Sequence, residues 1–229
     1  MPALSARDVD YRYQSRYQTV DAVKKVTCAF ETGMLYSIIG KSGSGKTTFL
    51  SLLAGLDLPT GGSILLNGSD IAQLDRDRYR RESVAVIYQN YNLFPLLTVL
   101  ENVTYPLELR RVKEAQAQKT AREYLRRVGL DAGYEKRFPP MLSGGEQQRV
   151  AIARALTSGA GIILADEPTG NLDVENSRNI ISILRGLAHE QGRCVIVVTH
   201  DPAVAAQSDV IFRMTDGTLT REPDSSSMR

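Results

Sequence analysis

The chain has 229 residues, enough for one large domain or a domain with a subdomain, and its 42% apolar and 24% charged residues are ordinary for a soluble globular protein. Its 28 basic and 26 acidic side chains leave a net charge of +2, which gives no case for nucleic acid or an anionic membrane surface as a partner. No run reaches the roughly 18 apolar residues of a membrane span, and no apolar segment follows a basic start, so the sequence predicts neither a span nor a signal peptide. Any membrane role would come through a partner. The two cysteines, Cys28 and Cys194, sit in apolar strand-like runs. A disulfide is left open, with buried free thiols in a reducing compartment the favoured reading.

In chain order, strands are expected at Arg7–Tyr13 and Val23–Phe30, with a turn at Glu31-Thr32-Gly33. Met34–Ile39 is a short apolar run that ends in a glycine-rich loop, and a helix follows from about Lys46 to Ala54. Pro59-Thr60-Gly61-Gly62 is a turn, Ser63–Leu66 a strand and Val84–Tyr88 another. From about Leu96 to Leu156 the pattern is helical and reads as an inserted subdomain. Within it, Thr98 and Glu101 have capping-box spacing, and Lys113–Val128 is a helix closed by Gly129. Ile162–Ala165 is a buried strand, Val174–Glu190 an amphipathic helix ended by Gly192, and Cys194–Thr199 a buried strand. Asp216-Gly217 marks a hairpin turn, and the polar tail Glu222–Arg229 reads as disordered. Apolar strands alternating with helices predict an α/β fold with a parallel core sheet.

Three stretches carry chemistry. Gly40, Lys41, Ser42, Gly43, Ser44, Gly45, Lys46 and Thr47 match G-x-x-x-x-G-K-[ST] in full, between a predicted strand and a predicted helix. Glycines there let backbone amides wrap a phosphate chain, Lys46 reaches the outer phosphates, and Thr47, followed by Thr48, offers a hydroxyl to Mg²⁺. The strand Ile162–Ala165 delivers Asp166 and Glu167 at its C-terminal end, where open α/β sheets bind ligands. Asp166 would hold Mg²⁺ directly or through water, and Glu167 would polarise the attacking water as general base. The third stretch is Leu142-Ser143-Gly144-Gly145-Glu146-Gln147. Ser143 and Glu146 form a capping box, and Arg149 and Arg154 fall on the wetter side of the helix that follows. A simple cap does not need two glycines, so the stretch is read as built to meet an anion at a helix N-terminus.

This ordered set resembles the ATPase subunits of ABC transporters, over about Leu4 to Leu219. The resemblance implies a P-loop, RecA-like core, an N-terminal antiparallel β subdomain and the inserted helical subdomain, in one domain over residues 1–229. It assigns Leu142–Gln147 to the family signature, Gln89 to the glutamine loop and the Mg²⁺ site, Asn171-Leu172-Asp173 to a loop that crosses to the partner, and His200 to the switch histidine. An aromatic residue that stacks on adenine falls on Tyr13 by spacing, ahead of Tyr11 and Tyr17. By the same resemblance two chains pair head to tail as a homodimer. Ser143, Gly144, Gly145 and Glu146 of one then close on ATP held by Lys46 of the other. The partner would be an integral membrane permease received by a groove that the helical stretch Tyr91–Glu101 helps to form, and the location the cytoplasmic face of the membrane. The motifs look most like the branch of lipoprotein-release, macrolide-export, cell-division and antimicrobial-peptide-resistance ATPases. A soluble ABC ATPase of the Fe–S assembly type stays open as the alternative.

Overall fold

The computed structural model describes residues 3–223. Two sheets organise it. The first is antiparallel and holds β1 (Leu4–Gln14), β2 (Thr19–Phe30), β4 (Gly61–Leu66) and β5 (Ser69–Asp70) in the order β2-β1-β4-β5. The second has six strands in the order β10-β9-β3-β8-β7-β6. These are β3 (Leu35–Ile39), β6 (Val84–Ile87), β7 (Ile162–Asp166), β8 (Cys194–Thr199), β9 (Val210–Thr215) and β10 (Thr218–Arg221). Five of the six run parallel. β10 is antiparallel to β9, through the expected turn at Asp216-Gly217, so the parallel core has one antiparallel edge.

The short apolar strands are explained by burial on both faces. Every residue of β8 is buried, and parallel strands covered on both sides need apolar side chains at every position rather than at alternate ones. β8 feeds two cores. Cys194, Ile196 and Val198 pack toward α1 (Lys46–Leu53) and the antiparallel sheet, where Phe30, Phe49 and Ile64 are fully buried. Val195 and Val197 pack toward the helical layer. That layer holds α3 (Val99–Leu109), α4 (Glu114–Arg127), α5 (Gly144–Thr157) and α6 (Val174–His189). Each fully buried apolar side chain of this kind contributes about 1.5–3 kcal/mol.

Both expected capping boxes form. Thr98 N–H donates to Glu101 Oε2 at 2.7 Å and Glu101 N–H to Thr98 Oγ1 at 3.3 Å. At α5, Ser143 N–H donates to Glu146 Oε2 at 2.7 Å and Glu146 N–H to Ser143 Oγ at 3.4 Å. Gly129 and Gly192 take the left-handed conformation that closes helices, at φ 77° and 65°. Cys28 and Cys194 are free thiols, and burial pushes each up to about 12.

The structure departs from these expectations in several places. The segment 91–97 is not helical, because Tyr91 and Asn92 adopt left-handed backbone and Thr98 then caps α3. A helix not foreseen, α2 (Arg76–Glu82), is capped by Asp75, whose carboxylate accepts from the amides of Asp77 and Arg78, and it buries Tyr79 against Leu53 O at 2.6 Å. Arg154 does not lie on a wet face: its guanidinium is partly buried and bonded to backbone carbonyls. Arg149 is half-buried too, against Asn176. The short α7 (Pro202–Ala205) follows β8. Of the tail expected to be disordered, residues 224–229 lie outside the described residues.

Candidate functional site

The phosphate loop spans the gap from β3 to α1. Gly45 has φ 103°, and a Cβ there would sit 2.2 Å from the carbonyl oxygen of Ala22, so only glycine fits. Lys46 folds back over the loop, and its Nζ donates to the carbonyls of Gly40 and Lys41 at 2.9 Å each. An ammonium held in this way stays over the loop amides. The Ser44 Oγ is buried without a hydrogen-bond partner among the described residues.

The sheet order brings the other strand ends to the loop. Only β8 separates β3 from β7, so Thr47 at the start of α1 reaches Asp166 at the end of β7, Oγ1 to Oδ1, at 3.2 Å. Burial raises the Asp166 carboxyl above its ordinary value. The Thr47 bond opposes this, and the neighbouring Glu167 charge adds to it. Glu167 takes a left-handed φ of 47°, and its amide donates to Val198 O at 2.9 Å. That bend turns the carboxylate toward the end of β8, where Oε1 lies 2.9 Å from His200 Nδ1 and Oε2 accepts from the His200 amide at 3.3 Å.

A cavity of about 980 Å³ collects most of these groups; Gly40, Lys41, Ser44 and Asp166 are not on its wall, and Asp166 is tied to it through Thr47. Tyr13, Ser42, Gly43, Gly45, Lys46, Thr47, Thr48, Gln89, Glu167 and His200 all line it. Tyr13 stands at its edge, with its hydroxyl 3.2 Å from Thr48 Oγ1 and its ring edge-on to Tyr11 at 5.0 Å. Tyr17 is almost fully exposed on the hairpin tip, and Tyr11 packs against the core. Val20, paired with Tyr13 across the hairpin, lines the cavity and was not anticipated, although cross-strand pairing with Tyr13 is the signal that would have found it. Asp21 and Lys24 join the lining from β2 and Asp216 from the β9–β10 turn, and none of the three gave a sequence signal for this cavity.

Ser143, Gly144, Gly145 and Glu146 do not line this cavity. They start α5 in the helical layer. A Cβ on Gly144 would lie 2.7 Å from the Tyr91 hydroxyl, and one on Gly145 would lie 2.6 Å from Asn176 Oδ1. The two glycines therefore answer first to packing within the chain, a reason the sequence argument did not supply.

A second, apolar groove of about 390 Å³ opens between the layers. Leu56, Val86, Tyr88, Phe94, Tyr105 and Leu109 form much of its wall, with Arg80 and Arg81 also on it. Leu56, Phe94 and Leu109 are exposed. Among the described residues no helix is long and apolar enough to cross a membrane.

A phosphate loop that faces a hydroxyl–carboxylate pair and a glutamate–histidine pair defines a P-loop nucleotide hydrolase. Comparison with known proteins narrows this. Residues 23–170 match the family model described as ABC transporter. The chain is 40% identical over 220 residues to the uncharacterized ABC transporter ATP-binding protein YclH of Bacillus subtilis, covering 96% of both. It is 41% identical over 225 residues to the macrolide export ATP-binding/permease protein MacB of Shigella flexneri, covering 97% of this chain and 34% of MacB. Among solved structures, the dimeric ATP-binding cassette MJ0796 bound to ADP and Pi superposes with a TM-score of 0.89 at 37% identity, covering 96% of this chain and 97% of that one. The chain belongs to the ABC transporter family, as an ATP-binding cassette that hydrolyses ATP.

Proposed function

We propose that the chain drives a membrane permease by pairing head to tail with a second copy, so that each of two ATP molecules is held between one chain's phosphate loop and the other's Ser143–Glu146. The observation that carries this reading is the division of the site. Lys46, Thr47, Glu167, Gln89 and His200 line one cavity, with Asp166 bonded to Thr47 behind it, while Ser143–Glu146 stands apart from them in the same chain. One chain then supplies two halves of different sites.

In this reading the loop amides of Gly40, Lys41, Ser42, Gly43, Ser44 and Gly45 cradle the phosphates, Lys46 neutralises the outer ones, and Tyr13 stacks on adenine. Mg²⁺ suits the oxygen donors present, a hydroxyl and a carboxylate with no thiol between them, and Thr47, Asp166 and Gln89 would hold it. Mg²⁺ bound there neutralises charge that develops on the phosphates. Glu167 takes the proton of the attacking water, and His200 fixes the orientation of that carboxylate. Ser143 of the second copy presents its hydroxyl, and Gly144 and Gly145 their helix-terminal amides, to the outermost phosphate, while the Ser143 amide is held by Glu146 in the cap. The apolar groove with Phe94 on its wall takes the permease, which places the cassette on the cytoplasmic face of the membrane.

The test mixes two variants. Gly144→Asp sets a carboxylate where the partner's phosphate arrives, and Lys46→Ala empties a loop of its cation. Each alone should lose turnover by about a hundredfold or more. A mixture contains head-to-tail dimers with one site that carries both lesions and one that carries neither, and part of the activity should return. No recovery at any ratio, with Gly144→Asp fully active alone, would overturn the reading. The Tyr91 hydroxyl near Gly144 is the tip of a flexible side chain, so the variant should fold, and a thermal melt checks that.

A further inference from the structure

Arg154 does something that neither the phosphate cavity nor the groove accounts for. From α5 its Nη1 donates to Asn92 O at 2.7 Å and its Nη2 to Tyr91 O at 3.0 Å. Its Cζ lies 5.7 Å from the centroid of the Phe94 ring. Among the described residues no carboxylate pairs with it, so its charge goes to two backbone oxygens and a ring face.

The two carbonyls it holds belong to consecutive non-glycine residues in left-handed backbone, Tyr91 at φ 60° and Asn92 at φ 48°. Such a conformation costs about 1–2 kcal/mol for a residue with a Cβ, somewhat less for asparagine. Two in a row persist only where the surroundings impose them. Besides the backbone bonds from Tyr91 N–H to Tyr88 O and from Asn92 N–H to Asn90 O, Arg154 ties both carbonyls at once, because a guanidinium offers two N–H groups at fixed geometry, which a lysine does not.

The turn lies between two sites. Two residues before it, Gln89 lines the phosphate cavity, and its carbonyl accepts from Asn171 Nδ2 at 3.2 Å. On the other side, Asn92 of the turn and Phe94 beyond it line the apolar groove, as Arg154 does. We propose that Arg154 is a positioning residue for Gln89. It holds the Tyr91–Asn92 turn and so sets where Gln89 stands in the cavity. The part of this that concerns Gln89 rests on the function proposed above, and the hold on the turn does not.

Hydrogen exchange on the full chain tests the hold. In Arg154→Met, peptides that cover 88–97 should exchange about tenfold faster, because two charge-assisted bonds to the turn are gone, while β7 and β8 keep their protection. Arg154→Lys, which reaches one carbonyl, should fall between. Equal loss of protection across the whole chain would reduce Arg154 to general support and overturn the proposal. Kinetics tests the consequence. Arg154→Met should lower kcat about tenfold with KM for ATP within about twofold, and should lower it no further in a Gln89→Ala background. Losses that simply multiply would sever Arg154 from Gln89. If Gln89→Ala alone leaves kcat intact, the role proposed for Gln89 falls, and the exchange experiment still decides whether Arg154 holds the turn.

Discussion

Gly145→Ala puts a number on the packing reason for the signature glycines. A methyl at this position would lie 2.6 Å from Asn176 Oδ1 and 2.7 Å from its Cγ, too close for any real contact. Asn176 cannot swing aside freely. Its Nδ2 donates to Asp173 Oδ2 at 2.7 Å, and its Oδ1 accepts from Arg149 Nη2 at 3.2 Å. The bond to the half-buried Arg149 contributes about 1.5–3 kcal/mol, less at the wetter end, and moving the side chain forfeits much of it together with the exposed bond to Asp173. Against that, alanine gains about 1 kcal/mol over glycine in a helix. The net expectation is a loss of about 1–3 kcal/mol, read as a lower urea midpoint at an unchanged slope. The diagnostic step is to make the same change in an Asn176→Ala background. With the obstacle gone, only the helix preference remains, and Gly145→Ala should become neutral or stabilising by up to about 1 kcal/mol. The cycle should thus show a coupling of about 2 kcal/mol between residues 145 and 176. If Gly145→Ala costs the same in both backgrounds, Asn176 is not what the glycine accommodates. Turnover is a separate matter. The double variant should regain stability without regaining ATPase activity, since a methyl would still stand where the partner's phosphate is proposed to approach.

Further changes probe the core of the site and its surroundings. Lys46→Ala should abolish binding of a fluorescent ATP analogue while leaving the circular dichroism spectrum unchanged, and tight binding by the folded variant would remove Lys46 from the phosphate contact. Asp166→Asn should raise stability at pH 7. Burial lifts the folded carboxyl above its ordinary value of 3.8, so ionisation in the native state is unfavourable. The gain appears as pH rises from that value through the raised one and vanishes below both. A gain that persists at pH 3 would contradict the assignment. Gln148 buries both its amide nitrogen and oxygen without a partner among the described residues. Gln148→Met removes a penalty of about 1–3 kcal/mol and should raise Tm by at least about 2–4 °C, whereas a lower Tm would show that the amide is satisfied in solution.

What could be read from the sequence was what chain-local physics dictates. The phosphate loop, the two capping boxes and the doubly buried strands β7 and β8 depend on spacing and composition within a few residues. α2 escaped because its run, Arg76–Glu82, has one buried side chain, Tyr79, and so shows no apolar period; the Asp75 cap was the only signal. Arg154 was misplaced because the carbonyls that bury it come from 62 and 63 residues earlier in the chain. The helix expected from Tyr91 failed for the same reason, since tertiary contacts impose a left-handed turn that local preference argues against. Gly144 and Gly145 were read as sites of close approach, and they are. The nearest atoms, though, belong to Tyr91 and Asn176 of the same chain, which no spacing rule could have supplied.

The two thiols have a practical consequence for the bench. With burial pushing both up to about 12, neither is appreciably ionised at neutral pH. Maleimide and iodoacetamide therefore react with the native chain more slowly than with a cysteine placed at an exposed position. Tyr17, 92% exposed at the tip of the β1–β2 hairpin, is such a position. A dye there leaves the rest of the protein unaltered. The proposed pairing of subunits and its reversal can then be followed by energy transfer, without first removing Cys194 from the middle of the sheet.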